Sequence, residues 1–269
     1  MIELELLWTA LFAYLAAGTL AIFTGVMGRR AERTVLALIA AGLAVHALSL
    51  GLRWERLGHG PFITMFEVLS SNVFSLLAVF AVAYARVRAV RPAAAVVMPI
   101  LFLMMGWLLV ASPADSHLPA TYRTLWLWVH VGLGKVFLGA VLVAVGISGI
   151  VLLRSAGIGA ARFSGLPDDA RLERLAFRFM ALGFIFETLM LVAGAIWAQG
   201  AWGRYWAWDP LETWAFMTWL TLAFFLHLRA TTKLAPAFGS AAIVGVFVLA
   251  FLTFFGVPFV STAPHKGAV

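Results

Sequence analysis

The sequence predicts an all-α integral membrane protein with about eight transmembrane helices. Of its 269 residues, 63% are hydrophobic and only 12% are charged, whereas soluble domains contain about 25% charged residues. The apolar residues form long runs, each close to the ~20 residues that an α-helix needs to cross a bilayer. Backbone polar groups in lipid must be satisfied within the segment, which favours helices. A soluble globular fold is therefore excluded.

Eight apolar runs qualify as spans. They cover residues 4–27, 34–52, 66–85, 93–111, 125–153, 176–198, 212–229 and 237–259. The acidic start MIELELLW has neither a positive n-region nor a cleavage site, so the first run is interpreted as a retained span and not as a signal peptide. Residues 1–269 are predicted to form one transmembrane domain. The absence of cysteine excludes disulfides and thiolate ligands from this chain.

Basic residues mark alternate connections. Those that follow the first, third, fifth and seventh runs hold thirteen of the nineteen Lys and Arg residues. They are Arg29, Arg30, Arg33, Arg86, Arg88, Arg91, Arg154, Arg162, Arg171, Arg174, Arg178, Arg229 and Lys233. The positive-inside rule places these connections in the cytoplasm and both termini on the outer, periplasmic side. Because these residues encode topology, the net charge of +7 implies no nucleic-acid partner.

The eleven tryptophans show the opposite asymmetry. On this topology all of them lie outside or in the outer half of a span, whereas an ordinary aromatic belt populates both interfaces. They are Trp8, Trp54, Trp107, Trp126, Trp128, Trp197, Trp202, Trp206, Trp208, Trp214 and Trp219. Indole rings stack well on a large flat π system, and a porphyrin is the biological plane of that size. The pattern favours a porphyrin held outside the membrane.

The densest aromatic segment is the predicted outer loop at 200–212, with the sequence WGRYWAWDPLE from Trp202. Indole and phenol rings crowd its first half, and Gly203 gives it backbone freedom. Asp209 precedes a proline, which fits a helix N-cap followed by proline at the first helical position. Asp209 is therefore interpreted either as a helix cap or as part of a ligand site.

The run WGRYWAWDPLETWAF, continuing through TWLTLAFFLHLRA, resembles the WWD signature of heme-handling cytochrome c biogenesis proteins. Among them it is most similar to the CcsA/ResC family of the System II pathway. RWERLGHGPFITMFEVLSS, from Arg53, resembles the segment after that family's second span, whereas Leu211 stands where the family usually has lysine. The resemblance implies a membrane subunit of a cytochrome c synthase that exports heme b to an external WWD and bis-histidine site. There it would present heme to apocytochrome c, with a CcsB/ResB partner, as a component of a heme lyase. Whether this is catalysis or templating stays open. The location that the resemblance implies is a bacterial cytoplasmic membrane or its thylakoid equivalent.

By order and spacing, His130 and His265 match the family histidines that bind the external heme iron axially. His227 matches a histidine that binds a second heme within the membrane, whose opposite ligand comes from the CcsB/ResB partner. Arg204 and Arg123 are predicted to bind heme propionates, because guanidinium groups bind carboxylates bidentately. The predicted heme-binding residues are Arg123, His130, Trp202, Gly203, Arg204, Tyr205, Trp206, Trp208, Asp209, His227 and His265.

Other polar residues within the apolar runs have alternative interpretations. His46 is interpreted mainly as a hydrogen-bonded core histidine, and His59 and His117 as solvated or accessory residues. Charges at membrane depth are costly and often functional. Lys135 either neutralises a propionate or forms a salt bridge between spans, and the same pairing is expected of Glu67 and Glu187.

Two other functions remain open at this stage. One is a CcmC-type protein that delivers heme to a separate chaperone, although that family is shorter and lacks the WDPxET continuation seen here. The other is a b-type cytochrome subunit that carries electrons between two bis-histidine hemes. The latter needs four ligands at two depths, which the offset of roughly 13 Å between His46 and His227 disfavours.

Overall fold

The fold is a bundle of eight long α-helices, seen in a computed structural model that describes residues 2–27, 31–158, 163 and 165–260. The helices are α1 (Ile2–Val26), α2 (Glu32–Leu57), α3 (Met65–Arg86), α4 (Ala94–Val110), α5 (Leu125–Ser155), α6 (Asp169–Trp202), α7 (Pro210–Thr231) and α8 (Pro236–Phe251). A π-helical turn, Leu252–Gly256, and a short α9, Val257–Val260, follow α8. Eight helical segments are long and apolar enough to cross a membrane, and no strand occurs among the described residues. The predicted all-α fold with eight spans is confirmed.

Helix ends follow the capping chemistry of the sequence. α6 begins at Asp169 and not near residue 176, because the side chain of Asp168 accepts a hydrogen bond from the backbone of Arg171. Arg171, Arg174 and Arg178, which were expected in the connection, therefore belong to this helix. α3 begins with a capping box, in which Thr64 and Glu67 each accept a backbone hydrogen bond of the other.

Helix α5 is the central helix of the bundle. Most of its residues from Phe137 to Val151 are buried, and α3, α4, α6 and α8 pack around it. Small residues allow these close approaches. A side chain at Gly139 would overlap Val79 of α3, and one at Gly146 would overlap Val97 of α4. The position of α5, and of the residues that it carries, is therefore fixed by contacts with four neighbouring helices.

A buried ion network joins the helix ends where α1 and α3 begin and α2 ends. Arg53 donates to Glu3 at 3.2 Å and to Glu67 at 2.9 Å, and it also reaches the carbonyl oxygen of Ala114 at 2.7 Å. Arg56 extends the network to Asp115, and this guanidinium lowers the pKa of the Asp115 carboxyl below its usual value. The network fixes the connection between α4 and α5 against the bundle. This end, called the site end below, is also where the tryptophans lie.

Candidate functional site

The site end contains a cavity of about 220 Å³ between α3, α5, α6 and the segment after α8, which we call the central cavity. Its polar side chains are Asn72, Tyr122, His130 and Lys135. The remaining wall is apolar or aromatic. It consists of Phe62, Ile63, Met65, Val68, Leu118, Leu127, Val131, Gly134, Leu138, Met190, Trp197, Leu211, Phe254 and Pro258. An apolar cavity with a few convergent polar groups is typical of a small-molecule site.

His130 is held in a defined orientation in the wall of this cavity. Its Nδ1 lies 2.9 Å from the carbonyl oxygen of Met190. A carbonyl only accepts hydrogen bonds, so Nδ1 donates, and in the neutral ring Nε2 then carries the lone pair. The ring also lies parallel to that of Trp197, at 6.3 Å between centroids. Metal-binding histidines are usually oriented in this way, through a hydrogen bond from the other ring nitrogen.

The loop between α6 and α7 brings its aromatic side chains to the same place. Tyr205 and Trp206 line a small cavity of about 50 Å³ that shares His130, Met190 and other wall residues with the central cavity. Trp206 and Trp208 also line an open apolar groove of about 410 Å³ along α6 and α7. The buried Nε1 of Trp206 has no acceptor among the described residues. Two cavities and a groove therefore adjoin around Trp206 and His130.

The backbone of the loop is tightly determined. Gly203 ends α6 in the left-handed region at φ +76°. Asp209 accepts a hydrogen bond from the backbone N–H of Glu212 at 2.9 Å, and the Glu212 carboxylate accepts one from Ala207 at 2.7 Å. Asp209 thus caps α7, and the helix-cap interpretation is confirmed. Trp208 has φ +57° and is the one non-glycine residue with positive φ in the described part of the chain.

We expect Trp208→Gly to be more stable than Trp208→Ala by about 1 kcal/mol, because alanine retains the cost of a left-handed backbone and glycine does not. Thermal unfolding of both variants in detergent measures the difference. The indole is 68% exposed, so both variants lose the same ring at little cost in burial. Equal unfolding temperatures would contradict a strained backbone at this position.

Trp202 has a supporting position in the site. It is the last residue of α6, and its Nε1 donates to the hydroxyl of Tyr122 at 3.0 Å. Its ring packs edge-on against Trp197, with centroids 4.8 Å apart. Trp202 therefore holds Tyr122 and Trp197 in the cavity wall. Tyr122 and Trp197 were not predicted as site residues. One signal was available for Trp197: it follows Gly194 by three residues, and Gly194 packs directly against the ring of His130.

The other predicted ligand residues lie elsewhere. Arg123 and Arg204 are exposed and line neither the cavities nor the groove. His227 is exposed in the far part of α7. His265 lies outside the described residues.

Two further histidines are bonded within the protein. The ring nitrogens of His46 lie 3.2 Å from the Tyr14 hydroxyl and 3.0 Å from the Ser70 hydroxyl, so the core interpretation of His46 is confirmed. The prediction that His59 is solvated is wrong. The connection from α4 covers its ring, which is buried beside the carbonyl oxygen of Ser116.

The three charged residues within the apolar runs have different surroundings. Glu67 pairs with Arg53, as described above. Lys135 donates to the Ser71 hydroxyl at 2.9 Å, and no carboxylate of the described residues lies within 4.0 Å of it. Both oxygens of Glu187 are buried without a hydrogen-bond partner in that part of the chain. The predicted salt bridges among Glu67, Lys135 and Glu187 are therefore wrong, because Glu67 pairs with Arg53 and neither of the other two residues forms a salt bridge with a described residue.

The donor set fits a flat, largely apolar ligand that carries a metal ion. The aromatic walls suit π stacking, and an imidazole nitrogen with its lone pair suits an axial metal ligand. The indole N–H of Trp206, which has no acceptor among the described residues, offers one further hydrogen bond to such a ligand.

Comparisons with known proteins agree on one family. Residues 6–265 match the family model described as Cytochrome C assembly protein. The chain is 30% identical over 248 residues to the cytochrome c biogenesis protein CcsA of Prochlorococcus marinus (strain MIT 9515), covering 82% of this chain and 79% of the relative. It is 42% identical over 97 residues to CcsA of Panax ginseng, covering 36% and 30% of the two chains.

A solved structure shares the fold. The cytochrome c heme lyase CcmF superposes with a TM-score of 0.71 at 18% identity, and the match covers 94% of this chain. It covers 46% of the CcmF chain, so this chain spans less than half of that protein. At this identity the likeness concerns the fold alone.

Proposed function

Because the chain belongs to the cytochrome c assembly protein family, we propose that it is the heme-handling membrane subunit of a cytochrome c synthase. In this role it holds heme b at the site end and presents it for covalent attachment to apocytochrome c. One observation carries the proposal: His130, fixed with Nε2 as the lone-pair nitrogen, shares its cavity with the aromatic loop between α6 and α7.

Each residue has a defined role in this proposal. His130 binds the iron through Nε2, while Met190 and Trp197 hold its ring. His265 supplies the second axial ligand, and with both axial positions occupied dioxygen does not bind the iron. Trp206 and Trp208 stack against the macrocycle.

The heme supplies two vinyl groups, and the thiols that add to them belong to the apocytochrome, since this chain has no cysteine. The aromatic loop and the site end are proposed to face the periplasm, with both termini on that side. Arg123 and Arg204 then lie on the outer rim, available to a carboxylate approaching from outside. In this topology the chain orients heme and shields it from water while the apocytochrome approaches.

His227 is proposed as a ligand of a second heme at membrane depth. Its position on an exposed face of α7, together with the exposed Phe224, leaves the imidazole open to a neighbouring membrane protein. A CcsB/ResB-type partner would supply the opposite ligand there. A b-type cytochrome with four ligands in one chain is less well supported, because both ring nitrogens of His46 already have hydrogen-bond partners.

Coexpression tests the proposal. The chain is produced with a CcsB/ResB-type protein and a CxxCH apocytochrome in a host without its own maturation system, and covalent heme is measured by heme stain after denaturing electrophoresis. We expect holocytochrome in the presence of both membrane proteins and none without this chain. Heme passed to a separate heme chaperone, with no holocytochrome formed, would instead indicate the CcmC-type function.

A further inference from the structure

Lys135 occupies the inner end of the central cavity. It follows His130 by five residues on α5, which places it about 7.5 Å further along the helix axis. Its side chain forms part of the cavity wall beside Asn72, and its Nζ donates to the Ser71 hydroxyl of α3 at 2.9 Å. The cavity wall thus contains an imidazole and, about 7.5 Å further along α5, an ammonium group.

This ammonium group has no carboxylate within 4.0 Å in the part of the chain that the structure describes. An ammonium carries three donors, and the Ser71 hydroxyl accepts one of them. Other basic groups in the bundle are paired: the buried Arg53 with Glu3 and Glu67, and the partly buried Arg229 with the buried Glu173 at 2.6 Å. No such carboxylate accompanies Lys135 among the described residues, although an unpaired charge in this setting is costly. A ligand that carries its own negative charge would therefore pair with Lys135 and be favoured in this cavity.

We infer that Lys135 binds the propionate carboxylates of the heme and so turns the opposite edge of the macrocycle outward. This inference rests on the proposed function. In heme b the two propionates lie on one side of the ring and the vinyl groups lie away from them. With the iron on His130 and the propionates at Lys135, the vinyl groups point toward Leu118 and Tyr122, in the connection outside the spans. That is the side from which the apocytochrome thiols arrive.

The dimensions of the cavity support this arrangement. Small-molecule sites usually measure about 300–1,000 Å³, whereas the central cavity measures about 220 Å³. A cavity of this size holds only part of a macrocycle, so the remainder of the ring would lie outside it. The opposite orientation would place the propionates near Arg123 or Arg204, which are exposed. Ion pairs with exposed arginines are screened by water and stabilise little.

Comparing hemin with its dimethyl ester tests the inference, because the ester keeps the iron and the ring but lacks both carboxylates. The affinity of each is measured by optical titration of the purified chain in neutral detergent, for the wild type and for Lys135→Met, Lys135→Arg and Ser71→Ala. We expect Lys135→Met to bind hemin about ten- to a hundredfold more weakly, the range of a charged hydrogen bond, and to bind the ester as the wild type does. Lys135→Arg and Ser71→Ala retain the charge and should keep the preference for hemin.

The outcomes separate the inference from the proposed function. A Lys135→Met protein that keeps the wild-type preference for hemin overturns the inference, and loss of that preference in Arg204→Ala assigns the carboxylates to the outer rim. A wild-type chain that binds neither compound overturns the proposed function instead. Thermal unfolding checks that each variant is folded, and Lys135→Gln provides the same comparison if methionine prevents folding.

Discussion

Replacing His130 with glycine should abolish the six-coordinate low-spin heme spectrum of the purified protein, and added imidazole should restore it. The ring is an axial ligand in the proposed site, and glycine leaves a space that free imidazole can fill. The optical spectrum of the reduced protein, with and without imidazole, measures both effects. His117→Gly is the control, because His117 is exposed and lines none of the cavities. An unchanged spectrum in His130→Gly would contradict the ligand assignment.

A second pair of variants tests the orientation of the same ring without removing it. A side chain at Gly194 would lie 2.7 Å from Nδ1 of His130, whereas one at Gly132 meets no atom within 4 Å. Gly194→Ala should therefore displace the imidazole, break its hydrogen bond to Met190 and weaken heme binding. Gly132→Ala should bind heme normally and gain roughly 0.5–1 kcal/mol of stability from the loss of a helical glycine. Equal heme affinities in the two variants would show that the orientation of His130 is unimportant.

Arg53→Leu should lower the free energy of unfolding by about 3–5 kcal/mol, the largest effect on stability that we expect. The substitution leaves Glu67 buried without its counter-ion, and an unpaired buried charge is strongly destabilising. Thermal unfolding in detergent measures the loss. The half-exposed Arg56 binds Glu3 in the same network, and Arg56→Leu should cost less than about 1 kcal/mol, as surface pairs do.

A double variant separates the lost ion pair from the charge left behind. Arg53→Leu with Glu67→Gln removes both charges. The Ile63 N–H and the Ser116 hydroxyl now donate to different carboxylate oxygens, at 2.9 Å and 2.7 Å. The single amide oxygen of glutamine can accept the bond from Ile63, while its NH2 group can donate to the Ser116 hydroxyl. The double variant should recover part of the stability lost in Arg53→Leu. If it is no more stable than the single variant, the cost comes from lost packing of the arginine and not from a buried charge.

The fold was predictable from the sequence because the length and hydropathy of each run are local properties. Eight apolar runs gave eight helices, and the main difference, the early start of α6, came from the cap at Asp168. A capping residue is also a local feature of the sequence, but a search for long apolar runs does not detect it. The polar first turns of α6, with Arg171 and Arg174, were consequently assigned to a connection.

The site was only partly predictable. Trp206 was recognised from the motif and His130 from its order and spacing, and the structure brings both to the wall of one small cavity. The role of Trp202 depends on Tyr122, eighty residues away in the sequence, and no local pattern reveals such a contact. Arg53 was missed for the same reason. The sequence analysis used arginines only as a signal of topology, whereas Arg53 binds partners from three other parts of the chain.

The central position of α5 has a consequence for selectivity. His130 and Lys135 belong to one helix that its neighbours enclose, so the spacing between imidazole and ammonium is set by helix geometry and not by the packing of mobile parts. The helix therefore fixes the distance between the iron ligand and the carboxylate-binding group. A tetrapyrrole whose acidic side chains lie at another distance from its metal, or on another edge, cannot satisfy both groups at once.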